Sequence, residues 1–541
     1  MNSYSFSSEI QVTPVSVTPK AGWLDSQRLP LKLPIGFLMG AIFALATPGF
    51  DIAFLAWVGL IPLLILIRAC NSPWQSVFTG FTFGAGYYAI ALSFFTGMYP
   101  LSWLGLHDAV SFQVVLLAWL VEVIHYSLLT ALFALFVFCL PLRPSFLPNH
   151  RRPFYPFLIA VPSIWVFLQW VVATSPLFFG SPLTQLAYTQ SRNLPLIQLA
   201  SMGGSALVDF VIVMFNAACA QMIIESTGIA RNLGERTDQI NIKLGSVLDL
   251  ALCCILIVFA LNWGSQRVAQ IEDEVRPEHA VHHNPQTPPI PVTIVQGAVS
   301  LEAERLKLIS PAAFCGRYNE LTSDTGSSLV VLPEGVVNVE QMGQGGLLTA
   351  LKHISQAERK EIIYGAIEPL KNGYINVARI VSPFGYKESA YVKQRLVPFG
   401  EVVPESWRDK LPGTSEVFLS AQKAQLIRSG WGKIGVAICN EVIFPKLISD
   451  QVREGASLIV VIANLGWFHN SSLNKQYLAC ATLRAVENKR FLVLSTNTGL
   501  SGVIDPAGVV VSKSYALQRG VLTDTVQFIY SKTPFNRMHW L

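Results

Sequence analysis

Hydropathy divides this chain near Trp263. Before that point seven apolar runs follow one another, near 33–49, 52–69, 76–97, 111–139, 154–179, 196–223 and 246–263; nothing comparable follows. An α-helix needs roughly 20 mainly apolar residues to cross hydrocarbon, and in hydrocarbon the backbone is satisfied only inside helices or closed barrels. The expectation is a polytopic α-helical membrane bundle of about seven transmembrane helices over 31–265. A tail (1–30) precedes it, and a linker (266–291) with five prolines and His279, His282 and His283 leads to a second domain at 292–541. Composition agrees, with 51% hydrophobic and 13% charged residues and a mean hydropathy of +0.44. The net charge of +5 is scattered, so no basic run is available to track nucleic acid. Of the eight cysteines, Cys70, Cys139, Cys219, Cys253 and Cys254 sit in or beside apolar runs, while Cys315, Cys439 and Cys480 lie in the polar half without paired or C-x-x-C spacing. No metal, cofactor or disulfide framework is indicated.

Positive charges near helix ends stay in the cytoplasm. Arg68, then Arg143, Arg151 and Arg152, then Arg231, Arg236 and Lys243 belong to the second, fourth and sixth loops, whereas the first and third contain no Lys or Arg and the fifth only Arg192. With the tail 1–30 in the cytoplasm, an odd number of spans delivers the second half to the extracytoplasmic face. Ala44-Leu45-Ala46 resembles a signal-peptidase site, but the long polar stretch before the first run favours an uncleaved helix.

After the linker, short β-branched runs alternate with longer mixed segments: Val292–Val295, Leu329–Leu332, Glu361–Ala366, Ile434–Ile438, Leu458–Ile462 and Phe491–Leu494. The pattern is α/β. Two runs end on ionisable groups, Leu332-Pro333 leading to Glu334 and Ile438 to Cys439, and strand carboxyl ends are where ligands gather in such sheets. A third group, Lys393, precedes Leu396-Val397-Pro398-Phe399-Gly400-Glu401. Together they suit acyl transfer. Glu334 would take the proton of Cys439, whose thiolate is the nucleophile. Lys393 and the backbone N–H of Asn440 would stabilise the oxyanion, and Glu401 would keep Lys393 charged and aimed or assist proton movement from a second position.

Each feature alone has a bland reading: a cysteine ending an apolar strand is a small core residue, Pro-Glu is a turn with a solvated acid, and a lysine is surface. Their occurrence together and in order, in one α/β domain, carries the functional reading.

In these motifs, reinforced by Gly466-Trp467-Phe468, by Leu483-Arg484-Ala485-Val486-Glu487-Asn488-Lys489-Arg490 and by Thr496-Asn497-Thr498-Gly499-Leu500-Ser501, the second half resembles the nitrilase superfamily. Joined to an apolar multi-span half, it is similar to the apolipoprotein N-acyltransferase family. The resemblance implies an αββα nitrilase-like sandwich with a Glu334-Lys393-Cys439 triad. It also implies accessory acids at Glu401 and Glu441, and substrate-binding walls and floor at Trp467, Phe468 and Asn497. The implied reaction moves an acyl chain from a membrane phospholipid through a Cys439 thioester to the diacylglyceryl-cysteine of an apolipoprotein, at the outer face of a cell inner membrane.

Departures from that pattern are Asn440 for an aromatic residue, Leu465 for an acid, Ala298 in place of the usual Asn, and Leu494 in place of an Arg. The family's closing transmembrane helix has no counterpart after Tyr530, so the C-terminus is expected outside; the departures are read as altered substrate handling. Two other readings use the same residues differently. A membrane-tethered amidase would let water resolve the thioester. A transporter would place Glu122, His125 and Asp209 along an intramembrane pathway.

Overall fold

The computed structural model describes residues 29–140, 157–174, 183–227, 244–276, 288–384, 389–398, 400–402, 417–423 and 425–538. Arg143, Arg151, Arg152, Arg231, Arg236 and Lys243, on which the sidedness expectation rests, lie outside them, as do His279, His282, His283, Phe399 and the tail 1–28.

Among the described residues, seven helices of eight residues or more form the first half: α1 (Leu29–Ala44), α2 (Ile61–Arg68), α3 (Pro73–Ala91), α4 (Asp108–Cys139), α5 (Phe157–Thr174), α6 (Ala200–Thr227) and α7 (Leu244–Val275). By length and composition, α4, α5, α6 and α7 suffice to cross a membrane. The others differ from the expected full-length apolar spans. Helix α1 has 16 residues and α2 eight, while the 19-residue α3 is rich in Gly, Thr and Tyr. Its small residues serve packing: a Cβ on Gly86 would lie 1.9 Å from the Phe37 carbonyl oxygen, so α1 and α3 touch backbone to backbone.

The reading of 266–291 as linker is corrected at its start, because α7 runs on to Val275. Arg267 donates to Gln270 at 2.9 Å and Gln270 to Glu274 at 3.0 Å, so these polar turns are held by side chains three and four residues apart.

The transporter candidates are engaged locally. Asp209 accepts from Ala187 N at 2.6 Å and from Trp165 Nε1 at 3.3 Å, fixing the segment that precedes α6. Glu122 faces His125 one turn away at 3.6 Å.

Among the described residues of the second half, twelve strands form two six-stranded sheets. The first contains β1 (Ile290–Gln296), β2 (Leu329–Val331), β3 (Glu361–Leu370), β4 (Gly373–Val381), β5 (Ala390–Val392) and, beyond β1, β12 (Gly520–Val526). The second contains β6 (Ile427–Ser429), β7 (Gly432–Ile438), β8 (Leu458–Ala463), β9 (Leu492–Thr496), β10 (Gly502–Ile504) and β11 (Val510–Lys513). Strands β1-β2-β3 and β7-β8-β9 are parallel.

Alternation along each strand builds the layers. On β8, Leu458, Val460 and Ile462 face the other sheet, while Ile459, Val461 and Ala463 face outward. Helices α8 (Pro311–Thr322) and α9 (Leu347–Glu358) cover the first sheet. Helices α10 (Pro445–Arg453) and α11 (Leu473–Asn488) cover the second. This is an αββα sandwich.

The helical layer of the second sheet shares one apolar core with the bundle. Polar contacts secure the junction. Gln476 Nε2 donates to Ala91 O at 3.0 Å, Gln198 Nε2 to Ala507 O at 2.8 Å, and Lys475 meets Asp51 at 2.8 Å. Ser205 N, just past a kink at Gly203-Gly204, donates to Glu487 Oε1 at 2.8 Å. Glu487 in turn pairs with Arg484 at 2.9 Å, both wholly buried.

Candidate active site

Three strand ends on two sheets deliver the site. Strand β2 runs out through Leu332-Pro333 to Glu334, and Gly335 turns the chain with φ +71°. The neighbouring β3 lets this loop approach because residue 365 is glycine. A Cβ there would sit 2.6 Å from Glu334 Cα and 2.7 Å from Pro333 O. Lys393 follows β5 and extends its pairing, donating its backbone N–H to Asn376 O at 2.9 Å. Cys439 follows β7 with φ +52°, a left-handed conformation that a non-glycine residue adopts only when its surroundings enforce it. Part of that enforcement is Tyr477, whose hydroxyl donates to the Cys439 carbonyl.

Around Lys393 the polar atoms close into a ring. Lys393 Nζ donates to Glu334 Oε1 at 3.2 Å and to Glu401 Oε1 at 2.9 Å. Asn376 Nδ2, from β4, donates to the same two oxygens at 2.7 and 2.9 Å. The outer oxygens are held by backbone: Asn464 N donates to Glu334 Oε2 at 2.8 Å and Val397 N to Glu401 Oε2 at 2.8 Å. Glu401 N also returns a bond to Val397 O at 2.8 Å. The tight loop that positions Glu401 is thus the Val-Pro-x-Gly-Glu motif itself.

Electrostatics assign the protonation states. Burial pushes the Lys393 ammonium down, but Glu334 and then Glu401 outweigh it and hold its pKa above the ordinary lysine value. Burial raises the Cys439 thiol, Glu334 raises it further, and Lys393 opposes; the net shift is well upward. Cys439 therefore rests as a thiol facing a carboxylate and an ammonium, with the N–H of Asn440 against its sulfur. Such a site needs a base at the moment of attack, and it holds a fixed cation for the charge that develops.

Glu441 sits behind this ring. Its Oε1 accepts from Gln394 N at 2.7 Å and Arg395 N at 3.0 Å, and its Oε2 from Ile438 N at 2.8 Å and Tyr391 Oη at 2.9 Å. It ties the Lys393 loop to the strand that ends in Cys439. Burial pushes its pKa up to about 7 against those donors.

Among the wall residues, Phe468 stands edge-on to Phe94 at 5.5 Å and to Phe95 at 6.2 Å, at the end of the bundle. Trp467 shares its 3-10 turn, Gly466–Phe468. Asn497 is committed to the chain: Oδ1 accepts from Val299 N at 3.1 Å and Nδ2 donates to Val299 O at 2.7 Å. It braces the floor beside Asn464, 3.3 Å away.

The structure brings Glu334, Lys393, Glu401 and Cys439 together and sets Glu441 as a brace. Sequence reasoning missed Asn376, Tyr391 and Tyr477. The one available signal was a lone amide in Ile375-Asn376-Val377, on a strand whose pattern is not distinctive.

Two family matches divide the chain as the fold does. The apolipoprotein N-acyltransferase N-terminal domain matches residues 39–218 and the carbon-nitrogen hydrolase domain residues 297–531. An apolipoprotein N-acyltransferase of Geobacter metallireducens is 28% identical over 92% of this chain and 90% of its own. One of Haemophilus ducreyi is 26% identical over 94% of this chain and 93% of its own. In both halves, and over 92% of its length against the Geobacter protein, the chain is similar to apolipoprotein N-acyltransferases.

Its carbon-nitrogen hydrolase half also overlaps solved structures. XC1258 of Xanthomonas campestris, a CN-hydrolase superfamily protein, is 17% identical with a TM-score of 0.34, covering 44% of this chain and 90% of its own. Nit3 of Saccharomyces cerevisiae is 18% identical with a TM-score of 0.34, covering 44% of this chain and 91% of its own. Within the family's architecture the ring around Lys393 lies in the hydrolase-type half, and Phe468 reaches the membrane half.

Proposed function

We propose that this enzyme transfers a fatty acyl chain through Cys439 to the α-amino group of the diacylglyceryl-cysteine at the N-terminus of apolipoproteins, with a membrane phospholipid as donor. The observation that carries the site assignment is the ring itself, a buried ammonium shared by two carboxylates beside a thiol on a constrained turn. Glu334 takes the Cys439 proton as sulfur attacks the donor's ester carbonyl. The oxyanion is met by Lys393 and the Asn440 N–H. Collapse expels the lysophospholipid oxygen, which receives the proton from Glu334. The lipoprotein amine then attacks the thioester and gives up a proton, and the N-acyl product leaves with the Cys439 thiol restored.

A thioester suits this relay because it forms from an oxygen ester at an activated thiol and yields to an amine of ordinary nucleophilicity. Docking to an apolar bundle gives both lipid substrates a route in the membrane plane. By the positive-inside distribution the catalytic half lies on the extracytoplasmic face of a bacterial inner membrane. Amine rather than water as the second nucleophile requires a site closed to bulk water.

Incubation with labelled phospholipid and a diacylglyceryl-cysteine peptide should yield N-acyl peptide, and phospholipid alone a hydroxylamine-sensitive adduct that Cys439→Ser abolishes. Free fatty acid as sole product would make the enzyme a hydrolase, and an adduct persisting in Cys439→Ser would remove Cys439 from its role.

A further inference from the structure

At the end of the bundle away from the catalytic domain, two cations are buried without an acid. Arg68, the last residue of α2, is 3% exposed, and Lys32, in the first turn of α1, is 1% exposed. Neither is ion-paired to a described carboxylate. Part of their charge is used at helix ends, where free carbonyls favour cations. Lys32 Nζ donates to Ala69 O, and Arg68 Nη1 donates to Leu140 O at 2.9 Å, just past α4. The Phe157 ring, opening α5, lies 5.1 Å from the guanidinium carbon.

These contacts leave one edge of Arg68 unused. Its Nε and Nη2 are both buried and have no hydrogen-bond partner among the described residues. They are adjacent, coplanar donors on one side of the guanidinium, the fork that takes two oxygens of a carboxylate or phosphate at once. Leaving such a charged edge unpaired is costly, so an oxyanion is the group the geometry calls for.

Position selects its source. Helix α3 starts at Pro73, beyond Arg68, and ends at Ala91, which accepts from Gln476 of the catalytic domain. Nineteen helical residues span about 28 Å, close to the roughly 30 Å of a hydrocarbon core. Arg68 is thus one membrane thickness from the catalytic face, at the depth of the opposite leaflet's phosphates.

We infer that Arg68, assisted by the neighbouring charge of Lys32, holds the phosphate of an anionic phospholipid in the leaflet opposite the catalytic domain, a site separate from the acyl-transfer centre.

The test uses full-length protein in nanodiscs of phosphatidylcholine, alone or mixed with phosphatidylglycerol, and in detergent with or without inorganic phosphate. Phosphatidylglycerol should raise the thermal midpoint of the wild type. Arg68→Gln should remove that rise and lower phosphatidylglycerol retained in native mass spectra by about tenfold. Arg68→Lys, which keeps the charge without the fork, should retain only part of the rise. Acylation of Cys439 in phosphatidylcholine discs reports that each variant is folded and should be unchanged. A rise produced by inorganic phosphate as fully as by the lipid would overturn the lipid assignment. An equal phosphatidylglycerol response in wild type and both variants would overturn the site, as would wild-type protein that neither gains stability from the lipid nor retains it.

Discussion

In the mechanism proposed above Cys439 meets its substrate as a thiol, and Glu334 has two opposing effects on it. As a base the carboxylate accelerates attack; as a nearby negative charge it holds the thiol pKa up, second only to burial. The two effects are separable. Glu334→Gln removes a charge that disfavours thiolate, so at a fixed pH near 8 the thiolate fraction should rise and alkylation of Cys439 by iodoacetamide should quicken by about two- to tenfold. Acyl-enzyme formation from phospholipid should fall by about 10²–10⁴ in the same variant. Alkylation that slows instead would mean that Glu334 does not face the sulfur. At this scale the candidate residues that the fold brings together were readable because Glu334 and Cys439 each end a run of β-branched residues and Lys393 precedes a distinctive loop. Asn376 was not, although it touches both carboxylates: a polar residue in a strand has no local signature, and its partners lie 42 and 25 residues away.

Among the elements, β3 sets the position of Glu334, the proposed base. Its Gly365 faces backbone on every near side, with Glu334 Cα at 2.6 Å, Gly335 N at 2.7 Å and Pro333 O at 2.7 Å from a would-be Cβ, none of which is the end of a flexible side chain. Gly365→Ala should push the Glu334 loop away from Lys393. We expect a loss of about 1–3 kcal/mol in stability and at least a tenfold fall in acyl-enzyme formation, read by thermal unfolding and by adduct mass. Normal acylation would show that the loop tolerates displacement. The six strands expected from sequence are all present, because runs buried on both faces read as continuous apolar stretches. Of the strands that were not anticipated, β5 and β6 have three residues each, β12 alternates half-buried and exposed positions on a sheet edge, and the nine-residue β4 opens on three half-buried positions rather than an apolar run. The end of α7 escaped notice for a related reason, since its charged turns resemble a linker until the pairing of Arg267, Gln270 and Glu274 is seen.

For the whole molecule, the junction between bundle and sandwich rests on an ion pair with no access to water. Arg484 and Glu487 are each 0% exposed, and Glu487 also receives the Ser205 N–H. Breaking one side leaves the other charge stranded, which in buried pairs costs about 3–5 kcal/mol. Glu487→Leu should therefore lower the thermal midpoint in detergent more than the double variant Arg484→Met/Glu487→Leu, which leaves no charge behind. Equal losses would mean that the pair does not carry the junction. The change of hydropathy near Trp263 was legible in the sequence, although the helix that contains it runs on to Val275. The docking was not, because Ser205 and Glu487 are 282 residues apart and neither is unusual in its own segment.

Glu487 also limits modular exchange. An acid of the sandwich completes the opening of a bundle helix, so the boundary surface of each half is finished only by the other. A hydrolase domain grafted from a soluble relative onto this bundle would need a carboxylate at the same height of the same helix, with an arginine one turn before it. Without both, the chimera would bury an open helix end.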